Sequence, residues 1–89
     1  MKIKKDYALR QVANTWVVLP LAEETVNFSG MLTLNQSGVM LWRILENGCD
    51  KSALVDALVS EYEVSTEIAQ ADVEEFLNKL VQIGCIEEE

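Results

Sequence analysis

Short apolar runs and alternating apolar and polar residues fill the first quarter of the chain. The segments 7–12 (YALRQV) and 15–21 (TWVVLPL) are rich in β-branched and aromatic residues, which favour strands. Between them, Ala13 and Asn14 have the length of a tight turn, because Asn tolerates left-handed backbone angles. Pro20 lacks a backbone N–H and therefore belongs at a strand end or on a sheet edge. This pattern predicts an antiparallel hairpin.

A third strand is predicted from Met31 to Leu34 (MLTL). A polar loop (AEET) and a bend at Gly30 separate it from the hairpin. Three short strands over residues 7–34 would form a small antiparallel sheet.

From residue 36 onward, apolar residues recur at helical spacing, and polar caps divide the pattern into three helices. Asn35, Asp50 and Ser65 each precede a helix, because their side-chain oxygens can accept hydrogen bonds from free amides of the first turn. Gly48 and Gly84 end the first and third helices, since glycine adopts left-handed backbone angles readily. The first helix lies between Asn35 and Gly48, the second spans 51–63 and the third spans 66–84.

The third helix has an apolar stripe that is wider than a single partner requires. The stripe centres on Val73 and Leu80, and further apolar residues widen it toward one flank only. These residues are Ile68, Phe76 and Ile83. Asp72 and Lys79 lie on the same flank. The widening indicates either a second apolar neighbour on that flank or simple packing of the helix against the sheet.

The order of three strands and then three helices predicts an α+β fold. Eighty-nine residues are the length of one domain, so we expect a single domain over 1–89, with the sheet in 7–34 and the helices in 36–84. The sheet can cover only part of a three-helix cluster. We therefore predict a winged-helix-like arrangement, in which a three-stranded antiparallel sheet packs beside the helices.

Charge is distributed unevenly around a formal net value of −8. From Ala53 to the end, Lys79 is the one basic residue, and it shares the third helix with Glu67, Asp72, Glu74 and Glu75. In a winged helix that helix would have to enter a DNA groove, and its acidic residues would repel phosphate. The charge therefore argues against a nucleic-acid partner.

Targeting signals and catalytic motifs are missing from the sequence. No apolar run approaches the roughly 20 residues that a membrane span needs, and no apolar signal-peptide core follows the basic start, so we expect a cytoplasmic protein without a membrane partner. The chain has no histidine and no GxSxG, GxGxxG or GxxxxGK[ST] motif. Cys49 and Cys85 fit two reduced, buried thiols better than a zinc site or a disulfide, although a disulfide stays open. We expect neither an enzyme nor a metal or cofactor site.

Three stretches of the chain resemble the coenzyme PQQ synthesis protein D (PqqD) family. They are LNQSGVMLW, LVSEYEVS and ADVEEFLNKLVQIGCIEE, and the resemblance spans about Tyr7 to Glu87. The matching positions are Leu34-Asn35, Trp42, Tyr62-Glu63-Val64, Asp72-Val73, Phe76-Leu77, Leu80 and Gly84. Members are also called RiPP recognition elements, after ribosomally made and post-translationally modified peptides.

The resemblance implies a chaperone-like adaptor, which binds the leader segment of a precursor peptide and presents it to a modifying enzyme. That enzyme is often a radical SAM protein, in PQQ or in other RiPP biosynthesis. The leader would add as a strand beside the third strand of the sheet, with its side chains in the groove between that strand and the third helix. The expected peptide-binding residues are Met31, Leu32, Thr33, Leu34, Ile68, Asp72, Phe76 and Lys79.

The residues themselves are consistent with this role. A short edge strand with free backbone groups is a template for strand addition. Asp72 and Lys79 could select charged leader side chains, and the acidic third helix favours basic or neutral anchors. We expect affinity near the micromolar range, because ordering a disordered leader offsets part of the binding energy. Two alternatives remain, a DNA-binding winged helix and a structural homodimer through paired edge strands, so the chain could be a monomer or a homodimer.

Overall fold

The computed structural model describes residues 1–21 and 32–87, and within them the chain forms five strands and three helices. The strands are β1 (Lys2–Ile3), β2 (Tyr7–Val12), β3 (Thr15–Pro20), β4 (Leu32–Leu34) and β5 (Ile86–Glu87). The helices are α1 (Gln36–Glu46), α2 (Lys51–Tyr62) and α3 (Thr66–Ile83). The predicted α+β, winged-helix-like order of sheet and helices is confirmed.

The main sheet is antiparallel and has the strand order β2-β3-β4. Its hairpin turns at Ala13 and Asn14, as predicted, but the left-handed residue is Ala13, with φ 56°. The position of the turn was therefore predicted correctly, but the left-handed conformation was expected at Asn14 and is found at Ala13. Pro20 ends β3, as expected. The predicted loop, the bend at Gly30 and the start of the third strand at Met31 lie outside the described residues.

All three predicted helix caps are confirmed by hydrogen bonds. Asn35 Oδ1 accepts from Gly38 N at 2.9 Å and Asp50 Oδ1 accepts from Ala53 N at 3.0 Å. The backbone amide of Ile68 donates to Ser65 Oγ at 3.2 Å. Each bond satisfies an amide that the first helical turn leaves free, so the caps set where the helices begin.

Left-handed residues follow each helix. Gly84 caps α3 with φ 88°, and Gly48, with φ 83°, comes directly after Asn47, the C-cap of α1. Glu63 caps α2 with φ 54°, so that helix ends one residue earlier than predicted. A side chain at such an angle is uncommon, and this one turns the chain tightly into α3.

A second, two-stranded sheet was not predicted. β1 pairs with β5, with Lys2 opposite Glu87 and Ile3 opposite Ile86. Lys4 N also donates to the carbonyl oxygen of Cys85 at 2.8 Å. Strands of two residues are too short to show an alternating pattern, so this pairing left no signal in the sequence.

The core lies between the main sheet and the three helices. Val18 from β3, Trp42 and Leu45 from α1, Leu54 from α2 and Leu80 from α3 are fully buried. The indole Nε1 of Trp42 donates to Glu46 Oε2 at 3.1 Å, so its polar atom is satisfied. No helix among the described residues is both long and apolar enough to cross a membrane.

Candidate functional site

The edge of the main sheet is formed by β4, and the pairing of β2 with β3 determines which β4 backbone groups face outward. Leu21 N donates to Asp6 O at 2.6 Å, so odd-numbered residues of β3 direct their backbone groups toward β2. Pro20 lies opposite Tyr7 and has no N–H to donate to β2. Its even number agrees with this alternation of backbone directions. Even-numbered residues of β3 must therefore face β4.

Thr33 presents its backbone to the open side of β4. Trp16 and Val18 face β4, where their partners are Leu34 and Leu32. Thr33 lies between these two hydrogen-bonded residues and turns its N–H and C=O away from β3. Within residues 1–21 and 32–87, no strand pairs with that side of β4. The described edge therefore offers one free donor and one free acceptor to an added strand.

A groove of about 510 Å³ lies between this edge and α3. Its apolar lining includes Leu34, Leu41, Leu58 and Phe76, each exposed by less than 10% of its surface. Exposed charged residues of α3 form part of the opposite wall. They are Asp72, Glu75 and Lys79. An apolar floor with a charged rim suits an extended peptide that buries alternate side chains.

The start of α1 holds the groove's end in place. A Cβ atom at Gly38 would lie 3.3 Å from Leu34 Cβ and 3.3 Å from Asn35 Oδ1, so a larger residue here would crowd the close approach of α1 to the end of β4. Asn35 Oδ1 also accepts from Ser37 Oγ at 3.0 Å. The stretch from Leu34 to Gly38 thus joins the edge strand rigidly to its supporting helix.

Charge along α3 changes sign between the two ends of the groove. Asp72 and Lys79 are two helical turns apart, or about 10 Å at 1.5 Å per residue. Lys79 Nζ lies 3.4 Å from Glu75 Oε1, but both side chains are more than half exposed. Such exposed pairs contribute little, so Lys79 can exchange Glu75 for a ligand carboxylate.

The structure brings together most of the predicted site residues. Leu32, Thr33, Leu34, Asp72, Phe76 and Lys79 all line the groove. Ile68 lies one turn before Asp72, is 54% exposed and is not part of this lining. Met31 lies outside the described residues. The binding roles of all eight residues stay predictions.

Several lining residues were not predicted. Glu75 lies beside Phe76 on α3, and Asn35, Ser37 and Gly38 lie where α1 begins. Leu41 and Leu58 read in the sequence as ordinary core residues. Their position at the groove depends on how α1 and α2 pack, which no local pattern shows. Among the described residues, no cluster of three His, Cys, Asp or Glu side chains could hold a metal ion.

A match to a protein-family model shows which family the chain belongs to. The model described as coenzyme PQQ synthesis protein D (PqqD) matches residues 15–86, most of the sequence. The chain belongs to the PqqD family. Comparison with curated proteins finds no significant match for this PqqD member.

Two solved structures resemble this PqqD chain closely. "TbiB1 in Complex with the TbiA(beta) Leader Peptide" is 27% identical, with a TM-score of 0.77 over 100% of this chain and 98% of that chain. "Lasso peptide synthetase B1 complexed with the leader peptide" is 20% identical, with a TM-score of 0.72 over 94% and 93% of the two chains. At 20% identity, the second likeness shows the fold alone.

Proposed function

We propose that this chain is a non-catalytic adaptor, which binds the leader segment of a ribosomally made precursor peptide and presents it to a modifying enzyme. The observation that carries the proposal is the outward-facing backbone of Thr33 beside an apolar groove. A peptide strand added there would gain backbone hydrogen bonds and bury alternate side chains. Membership of the PqqD family and the leader peptide in the 27% identical structure support the same role.

Family membership supports a proposal for the kind of enzyme partner. PqqD-like proteins often serve radical SAM enzymes, and we propose an enzyme of that kind in PQQ or other RiPP biosynthesis. We assign the groove to recognition, and its polar lining of two carboxylates, one amide, two hydroxyls and one lysine suits hydrogen bonds and ion pairs with a peptide.

The leader should carry charges that match the groove. Asp72 lies toward the Asn35 end, because it also borders the surface where α1 begins. Lys79, two turns further along α3, would then meet the opposite half of the paired segment. We therefore propose a leader with a basic residue facing Asp72, an acidic residue facing Lys79, and apolar side chains between them.

Replacing Thr33 by Pro tests the proposal. Proline removes the outward N–H, and the fold should tolerate it because this amide does not pair with β3. We expect the Kd of a peptide selected on the full chain from a displayed library of 15-residue random peptides to rise roughly tenfold in a fluorescence anisotropy titration.

Thr33→Val is the matched control. It keeps the N–H and changes only an exposed side chain on the outer face of the sheet, so its Kd should equal that of the unchanged protein. Equal affinity of the Pro and Val variants for a leader that binds would argue against strand addition at β4.

A further inference from the structure

Beyond the groove, a second hollow of about 320 Å³ opens where α2 turns into α3. We call it the α2–α3 hollow. Its apolar lining is Leu58, Tyr62 and Val64, and its polar rim includes Gln36, Ser37 and Asp72. Ser37, Leu58 and Asp72 line both the hollow and the groove, so the two cavities adjoin each other.

One apolar side chain of this hollow is unusually exposed. Tyr62, the last residue of α2, is 39% exposed, although it belongs to an apolar lining. Ile68, in the first turn of α3, is 54% exposed as well, but it does not line the hollow. Exposed apolar surface next to a candidate ligand groove marks a place where further ligand contact is favourable.

A peptide paired with β4 would extend toward this hollow. The described part of β4 is three residues long and presents only the backbone of Thr33 outward. Pairing stops at Asn35, because its carbonyl already accepts from Val39 N at 3.0 Å and its side chain caps α1. Asn35 also lines both cavities, so a chain that continues past it enters the α2–α3 hollow.

We propose that the α2–α3 hollow binds one apolar or aromatic side chain of the leader, from a residue just beyond the segment that pairs with β4. The inference rests on the proposed function. Tyr62 would make the main contact, since a ring with one polar tip suits a surface that is apolar on one side and wet on the other. Asp72 at the rim disfavours an acidic residue at this position and favours a basic or neutral one next to it.

The test uses a displayed library of 15-residue random peptides selected on the full chain. Selected peptides should contain an alternating apolar segment and one further apolar or aromatic residue outside it. Tyr62→Ser should weaken binding of these peptides about tenfold, whereas Tyr62→Phe should leave it within about twofold. Val81→Ser is the matched control, because Val81 is 60% exposed and lines neither cavity.

A double-mutant cycle assigns the contact. Replacing the outlying apolar residue of the peptide by Ala should weaken binding to the unchanged protein about tenfold and should have little effect on Tyr62→Ser. The peptide-side half needs no protein variant, so it holds even if Tyr62→Ser fails to fold. Two results would contradict the proposed role of the hollow. One is a set of binding peptides with no preferred apolar residue outside the alternating segment, and the other is additive effects of the peptide change and Tyr62→Ser.

The two proposals fail differently. If Thr33→Pro weakens binding and Tyr62→Ser does not, strand addition stands and the hollow is wrong. If Tyr62→Ser weakens binding and Thr33→Pro does not, peptide binding stands and pairing at β4 is wrong. If no library peptide binds, both proposals are wrong.

Discussion

The two cysteines show how burial shapes the chemistry of single residues in this chain. Both are free thiols in the structure. Cys85 is fully buried, its Sγ lies 3.5 Å from the carbonyl oxygen of Leu80, and burial raises the pKa of its thiol to about 11. Cys49 is only partly buried, and burial raises its thiol pKa as well. Since the thiolate is the reactive form, neither residue is activated for catalysis.

Thiol labelling at pH 8 should therefore separate the two cysteines. We expect Cys49 to react with Ellman's reagent in the folded protein, and Cys85 to react only when the protein unfolds. Cys49→Ala should abolish the early phase and Cys85→Ala the late one. Two thiols that react at one common rate in the native state would contradict the buried position of Cys85.

The raised pKa of Cys85 also predicts a pH dependence. Its value when unfolded is near 9.0, so the stability that comes from burying the neutral thiol is fully present below pH 9 and is lost as pH rises toward 11. Cys85→Ala should therefore lose less stability than the unchanged protein over this window, measured by urea denaturation. An identical pH profile for both would contradict the shift.

At the scale of elements, α3 has two roles, because one side of it belongs to the core and another borders the groove. Ala69, Val73, Phe76, Leu77 and Leu80 are buried, and Phe76 also lines the groove. The groove therefore accounts for part of the widened apolar stripe that the sequence shows on α3. Phe76 meets the groove, whereas Ile68, at the start of the helix, stays exposed.

The cap of α3 should be measurable on its own. Ser65→Ala removes the oxygen that accepts from Ile68 N and should lower the free energy of unfolding by about 1 kcal/mol. Ser60→Ala, an exposed change within α2, should alter it by less than about 0.5 kcal/mol. Urea denaturation measures both, and equal effects of the two changes would show that the cap contributes nothing.

Elements with local signals were predictable, and elements that depend on distant contacts were not. The caps at Asn35, Asp50 and Ser65 act within three residues, so the sequence shows them directly. The β1–β5 pairing joins the two ends of the chain, and its two-residue strands carry no pattern. The roles of Leu41 and Leu58 in the groove likewise appear only once α1, α2 and α3 are packed together.

At the scale of the whole molecule, the charge distribution restricts the partners. The formal net charge is −8, and two of the seven basic side chains pair with carboxylates of α3: Lys51 with Glu74 at 2.7 Å and Lys79 with Glu75 at 3.4 Å. Hydrogen bonding and charge from Lys51 lower the pKa of Glu74. We expect an acidic helix in this position to repel nucleic acid and to favour a peptide with basic anchors.

Duplex DNA should therefore not compete for the groove. We expect no displacement of a bound leader by a 20-base-pair duplex at about 0.1 M salt, with the anisotropy of a labelled leader as the readout. Binding of the duplex that weakens steeply with salt would instead favour a winged-helix regulator.

The central claim is that a leader peptide pairs with β4 through the backbone of Thr33, and amide hydrogen exchange tests it most directly. In the free chain, the amides of Leu32 and Leu34 face β3 and should be protected, whereas the Thr33 amide faces the open edge and should exchange quickly. A saturating leader should slow exchange at Thr33 at least about tenfold and change Leu32 and Leu34 little. A leader that binds and leaves the exchange of Thr33 unchanged would contradict the account.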